Sequence, residues 1–350
     1  MSFKIAIHHR PHSFSERWIE YSQEQDIQHK VVNCFEQDII FQLAQCDGLL
    51  WHWAHFNPQD VILAQGLIQA LEIMGLQVFP NIKTCWHFDN KLGQKYLFEA
   101  INAPLIPTYI FYNKQDALKW VDETTFPKIF KLSRGSSSKN VEIVKSRDEA
   151  KKLIKRAFGR GFNPVNDPLD YFKGGASNAM RAFKNRNVLN VLKRMPYALS
   201  EKYQKKLYFN GENGYVYFQD FIKDNAFDIR VTVIGNRAFA FTRNVRKNDF
   251  RASGSGNIDY NLERIDMRCI QLAFKLAKEI DAQSIAFDFL LDASGKPRIS
   301  EISYAYQDLA VFKCPGHWDE NLTWNDGHLW PQDAILSDFV NAIKRKKSNT

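Results

Sequence analysis

With 350 residues, 45% of them hydrophobic and 14% aromatic, the chain is long enough for two or three domains with buried cores. A formal net charge of +8 suits anionic ligands such as nucleotide phosphates, an acidic sugar or nucleic acid, without choosing among them. The five cysteines form no C-x-x-C pair and the apolar runs are short or interrupted, which argues against a disulfide framework, a zinc site, a signal peptide and a membrane span; we expect a cytoplasmic protein.

The first 88 residues predict a small α/β unit in the order strand, strand, helix, strand. Asn57-Pro58 begins the helix and Gly75 ends it, because these residues are typical of helix starts and stops. The loops carry several rings where the carboxyl ends of parallel strands would offer them to a ligand, namely His8, His9, His52, Trp53, His55, Trp86 and His87. No metal-ligand spacing links the histidines, so a structural role is favoured for any single one of them.

The following segment predicts alternating helices and strands. Asp89 is expected to cap a helix that ends near Ile101, and a later strand ends at Lys131. The loop SRGSSSKN follows that lysine, and its small residues would let backbone N–H groups reach phosphate oxygens. An ordinary hairpin loop is the alternative. Ser146 and Glu149 then form a capping box at the start of another helix.

Between Lys151 and Lys206 the sequence contains fourteen Lys and Arg residues and only three acidic ones. This stretch has no clean periodicity, which predicts a partly helical insertion. The segment is either a solvated basic arm or a contact surface for an anionic substrate or polymer.

A predicted hairpin over FDIRVTVIGNRAFAFTRNV turns at Gly235-Asn236. This register places Arg230 opposite Phe241 and Asp228 opposite Arg243, with the three polar residues on one face. Several arginines in this region would suit a site where phosphate charge develops, while an ion pair between Asp228 and Arg243 is the structural alternative.

A second hairpin, IAFDFLLDASGKPRISEIS, is predicted to turn at Ser294-Gly295. Pairing 293 with 296 and 291 with 298 sets Asp288 directly opposite Glu301, and two such carboxylates repel unless a cation lies between them. Hard oxygen ligands favour Mg²⁺, and a surface hairpin with a loosely defined register is the alternative. The opposite face is expected to be buried and consists of Ile285, Phe287, Phe289, Leu291, Ser300 and Ile302.

Five segments, in this order, resemble those of the ATP-grasp superfamily: DNKLGQKYLFEA, FPKIFKLSRGSSSKNVEIV, YFQDFIKDNAFDIRVTVIG, FTRNVRKNDFRASGSGN and FDFLLDASGKPRISEIS. The likeness covers residues 89 to 303. It is strongest to the branch of ribosomal-protein glutamate ligases, and weaker to D-alanine–D-alanine ligases and glutathione synthetases. RKNDFRASGSGN and EISYAY also resemble ATP-grasp ligases associated with bacterial surface-polysaccharide synthesis.

The resemblance implies an α+β, ATP-grasp fold with an N-terminal α/β pre-grasp domain. The expected domains are residues 1–88, a central subdomain 89–218 that carries the flap and a basic insertion (159–200), and a C-terminal subdomain 219–345. ATP is expected between the last two. The residues implied for ATP binding are Lys91 and Lys131 on the phosphates, Gly135, Ser136, Ser137 and Ser138 in the flap, Gln219, Asp220, Phe221 and Ile222 at the adenine, and Asp228 on the ribose side.

The resemblance further implies that Arg243 and Arg251 are catalytic and stabilise the transferred phosphoryl group, while Asp288, Glu301 and Ser303 hold Mg²⁺, with Mn²⁺ as an alternative ion. Ser303 stands where relatives usually have Asn, which leaves one or two ions open. Ser138 and Asn140 replace glycines that are common in the flap. The residues 304–307, YAYQ, replace a Ser/Gly-rich run, so the acceptor pocket differs from that of the named relatives.

The expected activity is amide formation by an ATP-dependent carboxylate-amine ligase through an acyl phosphate. The partners are a small-molecule or glycan carboxylate and an amine, without nucleic acid or a membrane span, and a homodimer is open. The rings at the N-terminal strand ends favour a uronic-acid-type sugar, since aromatic faces stack on sugars. Alternatives are a peptide or amino-acid ligase and an ATP-binding regulator with reduced catalysis.

Overall fold

The computed structural model describes residues 3–135, 140–162, 211–246, 251–252, 254 and 256–349. The predicted flap residues Ser136, Ser137 and Ser138, and most of the basic insertion, lie outside these described residues. The described elements form three β-sheets that follow one another along the chain.

The first sheet is parallel, with strand order β2-β1-β3-β4. Its elements are β1 (Ile5–His8), α1 (Phe14–Glu24), β2 (His29–Val32), α2 (Ile39–Leu43), β3 (Gly48–Leu50), α3 (Pro58–Ile73), β4 (Gln77–Phe79) and α4 (Ile82–Cys85). The predicted α/β unit is confirmed, but its element order was wrong because α1 and α2 were missed. Parallel strands cannot be joined by a tight turn, so β1 needs a crossover before β2, and α1 provides it.

Helices cover both faces of this sheet. Helices α2 and α3 pack on one face, where Leu49 and Trp51 meet Leu67 and Ile68. On the other face, α1 packs beside the last helix of the chain, α10 (Pro331–Ser348). Gly48 is required there, since a Cβ at this position would lie 2.5 Å from the Phe339 ring. Residues from both ends of the described chain therefore share one core.

The second sheet is antiparallel, with strand order β5-β8-β6-β7. Its segment contains α5 (Lys91–Ala100), β5 (Thr108–Phe111), α6 (Lys114–Glu123), β6 (Lys128–Lys131), β7 (Val141–Val144), α7 (Arg147–Ala157) and β8 (Val216–Asp220). The predicted capping box of α7 is confirmed, because the Ser146 side chain accepts from the Glu149 N–H and Glu149 accepts from the Lys145 N–H.

The predicted cap of α5 was wrong by one residue. Asn90 directly precedes the helix, and its side chain accepts from the Gly93 N–H at 3.0 Å. Asp89 has a φ of 51° and turns away from the helix to accept from the Gly135 N–H at 2.8 Å. Asp89 therefore contacts the loop after β6, and the sequence pattern of a helix start does not predict such a contact.

The third sheet has the order β13-β12-β9-β10-β14-β15, with β11 beside β10. Its elements are β9 (Phe227–Ile234), β10 (Arg237–Asn244), β11 (Ile258–Asp259), α8 (Met267–Ile280), β12 (Ser284–Leu291), β13 (Pro297–Ser303), α9 (Asp308–Phe312), β14 (Gly316–Asp319) and β15 (Trp324–Asp326), with a 3₁₀ turn at Leu262–Arg264. Helix α8 buries one face of β9 and β12, where it covers Val231, Phe287 and Phe289. The opposite face is apolar at one end, where Ile234, Phe239 and Phe241 join the core of the first sheet, and it carries polar side chains at the other end.

Among the described residues, no helix combines the length and the apolar character that crossing a bilayer requires. All five cysteines are free thiols, and four of them are buried.

Candidate active site

The hairpin of β9 and β10 has the predicted register. Gly235, with a φ of 55°, occupies the two-residue turn, and Asp228 lies opposite Arg243 while Arg230 lies opposite Phe241. Since alternate residues of a strand share a face, Asp228, Arg230 and Arg243 project to the side away from α8. The sequence thus specified this face correctly.

The hairpin of β12 and β13 pairs Asp288 with Glu301 as predicted, but by a different route. The turn is one residue longer than expected: Asp292 and Lys296 close it, and Gly295 has a φ of 72°. A β-bulge between Asp288 and Phe289 then restores the register.

The bulge changes the face expected for one residue. Ile299, not Ser300, lies opposite Phe289 and is fully buried, whereas Ser300 is only half-buried and lines the cleft described below. The predicted pairs 293 with 296 and 291 with 298 were wrong because the turn is one residue longer than expected.

Four charged side chains from β9, β10 and β12 form one network. Arg230 binds Asp288 through two contacts, at 2.7 and 2.8 Å, and Arg243 reaches the same carboxylate at 2.8 Å. Arg243 also binds Asp228 at 2.6 and 2.8 Å. The structural alternative, an ion pair between Asp228 and Arg243, is therefore present in the structure.

Burial and charge oppose each other in this network. Burial alone would raise the pKa of Asp288, but Arg230 and Arg243 together hold it well below its usual range. For Asp228, burial prevails over the attraction of Arg243, and the pKa is raised. The pKa of Arg243 is raised despite its burial, because Asp288 and Asp228 both stabilise the charged form. Asp288 is thus fixed as a carboxylate.

A cleft of about 280 Å³ lies between the second and third sheets. Its walls come from the end of β8, the loop after β6, the start of α5 and the polar face of the third sheet. The lining residues include Lys91, Lys131, Gly135, Gln219, Asp220, Phe221, Ile222, Asp228, Arg251, Asp288, Ser300 and Glu301. Eleven of these twelve were predicted site residues, and Ser300 was not.

Two buried lysines lie in the cleft near the loop after β6. Lys91 is 4% exposed, and its Nζ donates to the Gly135 carbonyl at 2.8 Å and lies 3.3 Å from Glu301. Lys131 is 6% exposed, and its burial, aided by the nearby Lys91 charge, lowers its pKa to about 8 although Glu301 and Asp288 oppose the shift. Buried cations that lack a full set of anionic partners favour an anionic ligand.

Residues 195–310 match the family model described as a RimK-like ATP-grasp domain. This part of the chain resembles a RimK-like ATP-grasp domain. The match includes β8 and both hairpins, which supply most of the cleft's polar wall, together with α8 on the opposite face of the third sheet.

Over 184 residues, the chain is 29% identical to the phosphoribosylamine–glycine ligase of Caldanaerobacter subterraneus subsp. tengcongensis, and the alignment covers 45% of this chain and 42% of that one. The chain thus spans less than half the length of the curated relative that it matches.

Two solved structures resemble the whole chain. A biotin carboxylase from Campylobacter jejuni in complex with β,γ-ATP aligns with a TM-score of 0.58 at 15% identity, covering 96% of this chain and 70% of that one. A RimK domain ATP-grasp protein from Sphaerobacter thermophilus aligns with a TM-score of 0.53 at 12% identity, covering 97% and 99%. At these identities the likeness establishes the fold, and the predicted α+β, ATP-grasp fold is confirmed.

The end of β8 forms the part of the cleft that the resemblance assigns to adenine. The Gln219 amide donates to the Thr108 hydroxyl at 3.0 Å, and Asp220 pairs with Lys128 at 2.5 Å. Since these two side chains are held by the protein, the strand end is left to present its backbone and the side chains of Phe221 and Ile222 to the cleft.

The predicted Mg²⁺ ligands differ in how well they fit an ion. Asp288 and Glu301 both line the cleft, and Mg²⁺ commonly takes one or two carboxylates together with water and phosphate oxygens. Three of the roughly four lone-pair positions of Asp288 already accept from arginines, which leaves room for one more ligand bond. In the described part of the chain, no group of three or more His, Cys, Asp or Glu side chains is arranged to hold a metal by itself.

Ser303 stands apart from this carboxylate pair. Its hydroxyl donates to the Ala305 carbonyl at 2.7 Å, and it is not among the residues that line the cleft. The donor set therefore fits an ion held by two carboxylates and completed by substrate oxygens.

The N-terminal rings are mostly packed rather than offered to a ligand. Trp53 is 3% exposed and His87 is fully buried, contrary to the expectation for both. His52 stacks on Phe14 with ring centres 3.9 Å apart, and burial followed by the nearby Arg10 charge lowers its pKa to about 3. His55, which is half-buried, and the exposed His9 remain at the sheet edge.

Three residues with a place in this site were missed. Arg230 was put on the correct face but was given no function, although it is the bidentate partner of Asp288. Glu212 and Tyr215 bind the backbone of the loop after β6 from about 80 residues away. The alternating pattern of β9 could have indicated Arg230, whereas no local signal identifies Glu212 or Tyr215.

Proposed function

We propose that this protein is an ATP- and Mg²⁺-dependent ligase that joins a carboxylate to an amine through an acyl phosphate. One observation carries the proposal: a single cleft brings together two buried lysines, the loop after β6, the end of β8 and the Asp288–Glu301 pair. Such a cleft provides positioning and charge for phosphoryl transfer rather than a protein nucleophile. The three-part division at residues 1–88, 89–218 and 219–345 belongs to the same proposal.

In this proposal ATP lies along the cleft. Lys91 and Lys131 contact its phosphates beneath the flap of Gly135 and the serines 136–138, while the strand end 219–222 reads adenine through its backbone. Asp228 faces the ribose side. The charged form of Lys131 is favoured when phosphate is bound, because an adjacent anion opposes the effect of burial on its pKa.

The reaction proceeds in two displacements. An oxygen of the substrate carboxylate attacks the γ-phosphorus, the bond to ADP breaks, and an acyl phosphate forms. The amine nitrogen then attacks the acyl carbon, inorganic phosphate leaves, and the nitrogen loses a proton. Mg²⁺ held by Asp288 and Glu301 would neutralise charge on the phosphate oxygens.

Arg251 lines the cleft and would stabilise the transferred phosphoryl group. Arg243 lies behind the lining, where it binds both Asp228 and Asp288. Its guanidinium would reach the reacting phosphate only if it exchanged one of these carboxylates for a phosphate oxygen.

The proposed carboxylate is that of a uronic-acid-type sugar, of the kind used in bacterial surface polysaccharides. The support lies in His55 at the edge of the first sheet, because imidazoles bind hydroxyl and carboxyl groups. Burial of Trp53 and His87 removes two of the rings expected to stack on a sugar. A peptide or amino-acid substrate is the competing assignment.

A substrate panel tests the proposal. ADP release is measured with free amino acids, short peptides, and uronic acids or their nucleotide conjugates, each with mixed amines, and hydroxylamine is added to trap the acyl phosphate as a hydroxamate. We expect acid-dependent ADP release and a hydroxamate. Turnover on peptides alone would exclude the sugar acid and keep the ligase, whereas ATP binding without acid-dependent turnover would favour a regulatory protein.

A further inference from the structure

The loop after β6 has an unusual set of partners at its base. Three consecutive backbone N–H groups each donate to a carboxylate from elsewhere in the chain. Those of Ser133 and Arg134 donate to the two oxygens of Glu212 at 2.8 and 3.0 Å, and that of Gly135 donates to Asp89 at 2.8 Å. A run of N–H groups that point the same way is a typical anion-binding arrangement, and here side chains of the protein supply the anions.

The carbonyl groups of the same three residues are also bound. The Ser133 carbonyl accepts from the Lys91 backbone N–H, and the Gly135 carbonyl accepts from the Lys91 ammonium. The Arg134 carbonyl accepts from the Asn140 side chain at 3.3 Å. Every backbone polar group of residues 133–135 therefore has a partner, and all of these partners except Asn140 lie outside the loop, so the path of the loop base is set mainly by other segments.

Glu212 contributes two of these bonds, and Tyr215 supports it. The Tyr215 hydroxyl donates to Glu212 in a short hydrogen bond and accepts from the Ser133 N–H at 2.7 Å. Burial, followed by the neighbouring Glu212 charge, raises the pKa of Tyr215 well above its usual range, which keeps the hydroxyl proton in place. Glu212 is 9% exposed, and its own backbone pairs with Phe162 at 2.7 and 2.8 Å.

Glu212 is not among the residues that line the cleft, whereas Lys131 and Gly135 on either side of its two bonds are. It therefore acts on a ligand only through the backbone it holds. A carboxylate that accepts hydrogen bonds from two N–H groups forms short, charge-assisted bonds, and the pair of bonds fixes the orientation of the backbone that donates them. We call this pair of bonds the clamp.

We propose that Glu212, supported by Tyr215, is a positioning residue that sets the backbone from Lys131 to Gly135 for contact with the phosphates of ATP. This inference rests on the proposed function. Loss of the clamp would leave adenine binding at the end of β8 unchanged, because Glu212 makes no contact there. It would weaken the part of the affinity that comes from phosphates.

The test compares Glu212→Gln with a matched control, Glu149→Gln, using ATP and adenosine as ligands in a calorimetric or competition assay. Glutamine keeps one acceptor oxygen and turns an N–H₂ group toward the second backbone N–H, so one charge-assisted bond is lost. Glu149 also accepts a backbone N–H, that of Lys145 at 2.6 Å, but at the start of α7 away from the cleft. We expect E212Q to bind ATP roughly tenfold or more weakly than wild type while its adenosine affinity is unchanged, and E149Q to match wild type for both ligands.

Tyr215→Phe keeps both Glu212 bonds and removes only the hydroxyl, so it covers the case in which E212Q does not fold. It is expected to weaken ATP binding about two- to threefold, again without a change for adenosine. Equal losses for ATP and adenosine, or no loss for ATP, would overturn the positioning role and leave the proposed function standing. Wild-type protein that binds adenosine and ATP with the same affinity would overturn both.

Discussion

Replacing Asp288 by Asn is expected to destabilise the protein substantially, in addition to removing Mg²⁺-dependent turnover. Asp288 is 9% exposed and is the partner of two arginines, Arg230 and Arg243, which are 17% and 8% exposed. For a ligand that served the metal alone, the substitution would leave the fold intact. The structure instead makes Asp288 part of a buried charge network.

The size of the effect follows from what each arginine retains. Removal of one partner from a buried ion pair costs about 3 to 5 kcal/mol, because the remaining charge loses its compensation. Arg243 keeps Asp228, whereas Arg230 loses the carboxylate that it binds through two contacts, and the Asn oxygen can still accept one hydrogen bond. We therefore expect about 3 kcal/mol, which is a large share of the roughly 5 to 15 kcal/mol typical of a folded protein.

Urea denaturation without nucleotide measures this loss, and Glu301→Gln is the matched control. Glu301 belongs to the same proposed metal site, yet it is 33% exposed and its contact with Lys91 is 3.3 Å long, so E301Q should cost only about 0 to 1 kcal/mol. Both variants should lose turnover. If D288N and E301Q unfold at the same urea concentration with the same dependence on urea, the stabilising role assigned to the network is refuted.

The pH dependence provides a second measurement on the same variant. The folded-state pKa of Asp288 lies below its unfolded value of about 3.9, so its contribution is fully present above that value and is lost as pH falls through the folded pKa. The difference in unfolding free energy between wild type and D288N should stay constant from pH 7 to about 5 and shrink in more acidic solution. A difference that disappears between pH 7 and 6 would contradict this assignment.

Further predictions concern the cationic side of the cleft and the N-terminal core. Arg251→Ala is expected to lower kcat far more than it raises the KM for ATP, because an arginine that binds charge only in the transition state affects the rate of the reaction and not the binding of ATP. A normal kcat with a raised KM would show that Arg251 contacts ATP in the ground state. ATP affinity should fall as pH rises through about 8, where Lys131 loses its proton, and Lys131→Arg should remove this dependence; an identical pH profile in both proteins would contradict it. Tyr306→Phe, which loses a buried 2.6 Å bond with Ser284, should cost about 1 kcal/mol in thermal or urea unfolding with unchanged ATP affinity.

Local chemistry explains which parts of the site were predictable. The register of β9 and β10 followed from a two-residue turn, since the turn length fixes every pair along both strands. This placed Asp228 and Arg243 correctly. Lys131 and the loop after it were identified because a strand end, a lysine and small residues occur together in the sequence.

The pairing of Asp288 with Glu301 was correct although its derivation was not. A longer turn at Asp292 shifted the register by one residue, and the bulge at Ser300 shifted it back. A longer turn and a bulge that compensate each other cannot be predicted by counting residues from the turn. The predicted face of the sheet was therefore wrong for Ile299 and Ser300. A predicted pair of strand residues is thus more secure than the face predicted for their neighbours.

Contacts between distant segments could not be predicted. Asp89 was predicted to cap α5, but Asn90 makes that cap. The side chain of Asp89 instead binds the backbone of Gly135, in the loop after β6. The backbone bonds of Glu212 bridge 78 and 79 positions, and nothing in the surrounding residues indicates them. The rings at the N-terminal strand ends were expected to be accessible because the helices that cover them were not all recognised.

The shared core of α1, the first sheet and α10 has a consequence for how the chain is made. Arg17 binds Asp333 across 316 positions, and Trp18 donates to the Gln332 carbonyl beside it. As the polypeptide leaves the ribosome, α1 alone covers this side of the first sheet until residues 331–348 have been translated. During that interval Trp18 and the neighbouring apolar residues are open to chaperones and to other nascent chains. A stop codon just before Pro331 would therefore leave this apolar surface exposed and prone to aggregation.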